Sequence, residues 1–251
     1  MVQASTPSSP EQLALLRWTV CLGAVTADAA AAHGEWTLAS ARARLHAVER
    51  AGLLCSRRVL AGRPALYTAT RAGLRASGLH GFEPCRVSVA NAPHATECAR
   101  VAAALEQAYP DHYVMGEREL RRDEREAATP LASALLGRGP GGTPLLHRPD
   151  VVLWPQDASS DERLPVAVEV ELTIKAPRRL LEICRAWARC RCVAGTLYIV
   201  APDVQKPLAR AITQAQAAER IAAVPLAALV CGDGDDGDER AAAESTVPVD
   251  A

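Results

Sequence analysis

The sequence predicts a mixed α/β chain, α+β overall, built in two parts, and three observations predict it. Between residues 11 and 80, apolar residues recur at helical spacing in three segments, then give way to two short strand-like runs around a Gly-Arg-Pro turn. Between residues 94 and 231 the pattern becomes helix, three strands, helix, strand, an αβββαβ order. Residues 81–93, rich in Pro and Gly and without periodicity, read as the linker between them.

The elements follow in order. Residues 1–10 (MVQASTPSSP) are polar and read as a disordered leader. Glu11 to Leu22 is a helix with Leu13, Leu16, Trp18 and Leu22 as core positions, stopped by Gly23. Thr26 caps a short helix reaching Ala32. Thr37 caps a third, from Leu38 to Ala51, in which Leu38, Ala41, Leu45 and Val48 repeat at three- and four-residue spacing. Leu53–Val59 and Ala65–Thr68 form a hairpin around Gly62-Arg63-Pro64, and Thr70 caps a last helix to Ser77. This order of helix, helix, helix, hairpin, helix is that of a winged helix-turn-helix, here residues 11–80. The stretch "VERAGLL…YTATRAG" resembles the MarR-like and related bacterial winged-helix families.

Net charge is −1 over 251 residues, which by itself speaks against a nucleic-acid partner. Its distribution does not. Residues 42–75 hold Arg42, Arg44, Arg50, Arg57, Arg58, Arg63, Arg71 and Arg75 against the single acid Glu49. The tail, 232–251, is acidic and Gly-rich and reads as disordered. Ser40, Arg42 and Arg44 of the third helix, with Arg57, Arg58 and Arg63 of the wing, are the candidate contacts to double-stranded DNA.

In the second part, Ala95–Tyr109 reads as a helix and His112–Arg121 as a strand. A polar, then Gly- and Pro-rich excursion covers 123–146. Strands follow at Pro149–Trp154 and Leu164–Thr173, a helix at Pro177–Ala194, a strand at Thr196–Val200, a helix at Gln205–Ala223 and a strand at Leu226–Val230. In "VAVEVELTIK" alternation sends Val166, Val168, Val170 and Leu172 to one face and Glu169, Glu171 and Thr173 to the other, with Lys175 in phase just beyond. The two glutamates stand roughly 6.5 Å apart along the strand, at about 3.3 Å per residue. Asp150, from Pro149-Asp150, opens the preceding strand and brings a third carboxylate alongside.

Carboxylates gathered in this way raise one another's pKa or take a cation, and hard oxygen donors suit Mg²⁺. Asp150 and Glu169 are then the metal ligands, and Glu171 or Lys175 orients or deprotonates the attacking water. The competing view pairs Glu169 and Glu171 with Arg118, Arg121, Arg178 or Arg179 in a solvated network.

The element order with Pro149-Asp150 and Glu169-x-Glu171 resembles the restriction-endonuclease-like, PD-(D/E)xK superfamily. The superfamily lysine would fall at Glu171, so Lys175 would have to supply a displaced ammonium, and the helix acid of some members would be Glu97 or Glu106. The segment "RPDVVLW…VAVEVELTIK…RRLLEICRAWAR…VAGTLYIVAP" is similar to the replication-relaxation family of actinobacterial proteins, often plasmid- or mobile-element-borne. With the winged helix that likeness spans most of the chain and implies DNA binding linked to replication or relaxation of an extrachromosomal element.

The expected function is therefore DNA binding joined to Mg²⁺-dependent nicking or cleavage. The alternative is a non-catalytic regulator whose degenerate nuclease fold serves dimerisation or DNA holding. A protein-interaction scaffold without a nucleic-acid role is a third reading. A homodimer is compatible with a winged helix, although no long heptad seam is present to build one. Eight scattered cysteines without a CxxC pair read as reduced structural thiols; His33, His46, His80, His94 and His112 show no ligand spacing, while His147, three residues before Asp150, is placed to approach the site or to stand exposed in a loop. With neither an apolar span nor a signal sequence, the expected location is the cytoplasm.

Overall fold

The computed structural model describes residues 7, 9–156 and 164–230. Most of the expected leader, the acidic tail and Cys231 lie outside these residues. The architecture is mixed α/β with three separate sheets.

The first part comprises α1 (Pro10–Leu22), β1 (Ala24–Val25), α2 (Ala27–His33), α3 (Leu38–Arg50), β2 (Leu54–Arg57), β3 (Leu66–Ala69) and α4 (Arg71–Ala76). The expected caps form: the Oγ1 atoms of Thr26, Thr37 and Thr70 accept the N–H of Ala29, Ser40 and Gly73. Ser9 does the same for α1. Gly52, at φ 73°, takes the left-handed turn that ends α3. β1 and β2 both pair antiparallel with β3, in the order β1-β3-β2. Ala41, Leu45 and Val48 are buried as their spacing predicts. Leu38 is not: it is 40% exposed at the first position of α3 and lines a groove instead of the core.

The second part comprises α5 (Ala92–Ala108), β4 (His112–Gly116), α6 (Glu117–Ala127), β5 (Ala134–Arg138), β6 (Pro144–His147), β7 (Val151–Pro155), β8 (Val166–Glu171), α7 (Pro177–Arg189), β9 (Gly195–Val200), α8 (Pro202–Ala215), β10 (Ile221–Pro225) and α9 (Leu226–Val230). Five strands make one sheet, ordered β10-β9-β8-β7-β4. The β4–β7 and β7–β8 pairs are antiparallel, whereas β8–β9 and β9–β10 are parallel.

The largest departures from the expected boundaries lie in four places. The strand from His112 stops at Gly116, because Glu117 and Glu119 favour a helix N-terminus and Glu117 pairs with Arg121 one turn on. The excursion 123–146 contains the second half of α6 and the β5–β6 hairpin. α7 ends at Arg189 rather than Ala194. Beyond it the chain is held by Arg220, which donates to the carbonyls of Cys190, Val193 and Ala194. α8 ends at Ala215, where Gln216 turns left-handed, so the last strand comes earlier, at Ile221–Pro225, and 226–230 is helical.

α5 holds the two parts together. Ala99 and Ala103 on one side enter the core formed by α1–α4. Val101, Ala102 and Leu105 on the other pack against Val168, Val170 and Ile199 of the sheet. Polar contacts reinforce the junction: Arg100 Nε donates to Asp28 Oδ2 at 2.6 Å, and Glu106 accepts from Trp18 Nε1 at 2.9 Å. α7 and α8 cover the opposite sheet face over a core containing Ala167, Trp187 and Tyr198.

Candidate functional site

The strand alternation is realised. Val168 and Val170 face α5, while Glu169 and Glu171, each 5% exposed, face the opposite side, where Trp187 of α7 donates to Glu169. Because Val151 pairs with Val168 in an antiparallel ladder, the next step places Asp150 beside Glu169. Asp150 is fixed from two directions. Its Oδ2 accepts the N–H of Val170 at 2.8 Å, and its carbonyl accepts the N–H of Glu117 at the start of α6.

Glu169 Oε1 accepts from Trp187 Nε1 at 3.0 Å and lies 2.7 Å from His147 Nε2 at the end of β6. Burial pushes its pKa up and the nearby Asp150 charge adds to this, while His147 and Lys175 pull it down. Glu171 is ion-paired with Lys175 Nζ. Burial lowers the Lys175 pKa, and the charges of Glu169 and Asp150 oppose that fall, so the ammonium stands within electrostatic reach of both acids. The structure thus brings Asp150, Glu169, Glu171 and Lys175 into one neighbourhood.

Among the described residues, neither glutamate is ion-paired with an arginine. Arg121 pairs with Glu117, Arg179 with Glu182, and Arg118 donates to the carbonyl of Glu83. Glu97 and Glu106, the expected helix acids, have partners other than Asp150. Glu97 pairs with Arg100, and Glu106 with Trp18 and His33. The α5 group that reaches Asp150 is His94, whose Nε2 lies 3.3 Å from Asp150 Oδ2 and 3.1 Å from the carbonyl oxygen of Val170. Among the described residues, the metal-ligating atoms that converge within 4.8 Å of one another belong to His94, Cys98 and Asp150, not to the three acids. The legible signal for this was His94-x-x-x-Cys98, which puts both side chains on one helix face.

Asp150 also lines a cleft of about 430 Å³ between the two parts, together with Arg118, Arg121 and Arg125 of α6. Arg121 and Arg125 continue into an adjoining depression that ends at Arg148. This basic wall escaped the sequence reading, in which α6 was divided between a strand and a loop.

In the first part, Arg42, Arg57, Arg58 and Arg63 are exposed. Arg42 and Arg58 border a groove of about 640 Å³ with His46 and Arg100. Ser40 is half-buried, its N–H spent on the Thr37 cap. Arg44 lays its guanidinium over Trp36, 4.4 Å from the ring centre, and packs there.

No family model matches the chain, and neither the curated proteins nor the solved structures contain a match to it. No helix among the described residues is long and apolar enough to cross a membrane.

Proposed function

We propose that this chain is a DNA-binding protein in which a winged helix, formed by α1–α4 and β1–β3, presents duplex DNA to a second, PD-(D/E)xK-like nuclease unit, residues 94–231. The observation that carries this reading is the β7–β8 register. It sets Asp150 beside the buried Glu169, with Lys175 within electrostatic reach of both and an arginine-lined cleft at Asp150.

The chain's own groups divide the work. Arg42, Arg57, Arg58 and Arg63 meet backbone phosphates, which fixes register without reading sequence. Arg118, Arg121 and Arg125 draw the scissile phosphate toward Asp150. The Lys175–Glu171 pair is the group that takes up a proton from the attacking water. Asp150, met by His94 from the α5 side, and Glu169, met by Trp187 from the α7 side, would have to turn toward one another to hold a divalent cation of Mg²⁺ type. Such an ion, when bound, supplies positive charge at the phosphate. The resemblance to replication-relaxation proteins would set this chemistry on a plasmid or mobile element.

A second reading, a non-catalytic DNA-binding regulator, is favoured by one observation. Glu169 already accepts from Trp187 and has His147 Nε2 2.7 Å away, and the position two residues on is Glu171 rather than lysine. Both readings require duplex binding that weakens steeply with salt, measured by fluorescence anisotropy on random-sequence DNA. A salt-insensitive signal would refute the arginine contacts that both share.

A further inference from the structure

We infer that His94, Cys98 and Asp150 form a transition-metal site of Zn²⁺ type with one coordination position open to the cleft. His94 and Cys98 stand four residues apart on one face of α5, and Asp150 approaches from the start of β7. Cys98 Sγ lies 3.7 Å from His94 Nε2, which in turn lies 3.3 Å from Asp150 Oδ2. A tetrahedral ion with bonds of about 2.3 Å to sulfur and about 2.05 Å to nitrogen or oxygen separates S from N by about 3.6 Å and N from O by about 3.3 Å. The S–N and N–O separations match two of those edges, but Cys98 Sγ is as near to Nδ1 (3.5 Å) as to Nε2, and Nε2 also meets the Val170 carbonyl at 3.1 Å, so the half-exposed imidazole must turn to aim a nitrogen at a shared ion.

The donor set selects the metal. One thiolate, one imidazole and one carboxylate suit a borderline ion, whereas Mg²⁺ and Ca²⁺ prefer oxygen alone. The Val170 N–H donates to Asp150 and fixes the orientation of its carboxylate, as outer partners of metal ligands do. Three protein ligands leave the fourth position free, the pattern of a reactive rather than a purely structural zinc site. His94, Cys98 and Asp150 line the same cleft as Arg118, Arg121 and Arg125, Arg121 being paired with Glu117, so an anionic oxygen, from hydroxide or a phosphate, is the ligand class assigned to that position. Asp150 is shared with the proposed nuclease constellation, yet this site stands whether or not the chain binds or cuts DNA.

Co²⁺ titration of the full-length, metal-depleted chain tests this without any activity measurement. The expected result is one Co²⁺ per chain with an intense thiolate-to-cobalt charge-transfer band. That band persists in a C190S/C192S variant and with excess Mg²⁺, is absent in C98S, and needs about tenfold or more Co²⁺ in H94A. Absence of the band in the wild type, its retention in C98S, or its loss in C190S/C192S overturns the site. If circular dichroism shows C98S unfolded, H94A decides: His94 is a half-exposed side chain, and wild-type affinity there refutes the proposal.

Discussion

Trp187→Phe tests how firmly Glu169 is held on the α7 side of the sheet. Trp187 is fully buried among Leu180, Ile183 and Tyr198, and its Nε1 donates to Glu169 Oε1 at 3.0 Å. Phenylalanine keeps most of the ring but removes the donor, leaving a buried carboxyl oxygen with only the His147 contact. Losing one such bond costs roughly 1–3 kcal/mol, at the upper end when the acceptor is charged. The smaller ring adds a cavity penalty, well below the roughly 3–5 kcal/mol of a full Trp→Ala truncation. The sum, about 2–3 kcal/mol, lowers the thermal midpoint by roughly 4–12 °C for a chain of this size. Urea denaturation of wild type, W187F, E169Q and W187F/E169Q gives the coupling between the two side chains directly, about 1 kcal/mol or more for groups in contact. A W187F loss below about 0.5 kcal/mol, or additive single changes, refutes the inference that this bond holds Glu169 in place.

Other expectations follow from the same coordinates. Gly73→Ala would put a methyl carbon 2.0 Å from the Leu53 carbonyl oxygen, so α4 must move away from β2; a loss of about 2 kcal/mol or more in urea midpoint analysis is expected, and a neutral change contradicts the close approach. Burial raises the Asp28 pKa, but the Thr26 hydroxyl and Arg100 outweigh it and the net shift is downward from 3.8. Asp28 therefore contributes stability that is present above pH 3.8 and is lost as pH falls through the lowered folded value. D28N should flatten that acid limb of an acid-denaturation curve, whereas an unchanged limb rules the contribution out. Replacing Arg57 and Arg58 together should reduce the log–log salt slope of duplex binding by about 1.8, or about 0.9 per phosphate contact. An unaltered slope would remove the wing from the DNA interface.

Local signals were the legible part. The Thr caps, the three-and-four spacing of α3 and the alternation of β8 each depend on near neighbours in sequence, so they read directly. The strand at 166–171 could even be assigned its faces. What did not read were features set by residues far apart. α6 looks like the continuation of a strand until its Glu117–Arg121 and Arg122–Glu119 pairs are placed on a helix. Its arginines form a cleft wall only because α6 packs beside α1, with α5 lining the other side of the cleft. His147 and His94 met Glu169 and Asp150 through a hairpin and a helix that reach the sheet from opposite sides, so only the His94–Cys98 spacing and the closeness of His147 to Asp150 in sequence hinted at it. Leu38 satisfied the helical repeat yet stayed exposed, because the first turn of α3 projects beyond the core that its later turns bury.

The central claim, a DNA-addressed nuclease unit, is tested most directly by incubating supercoiled plasmid with the pure full-length chain and Mg²⁺ or Mn²⁺, beside Asp150→Ala and Glu169→Ala. Open-circle or linear product from the wild type, lost in both variants while duplex binding is retained, is the outcome this account predicts. No cutting by the wild type, or equal cutting by all three proteins, contradicts it.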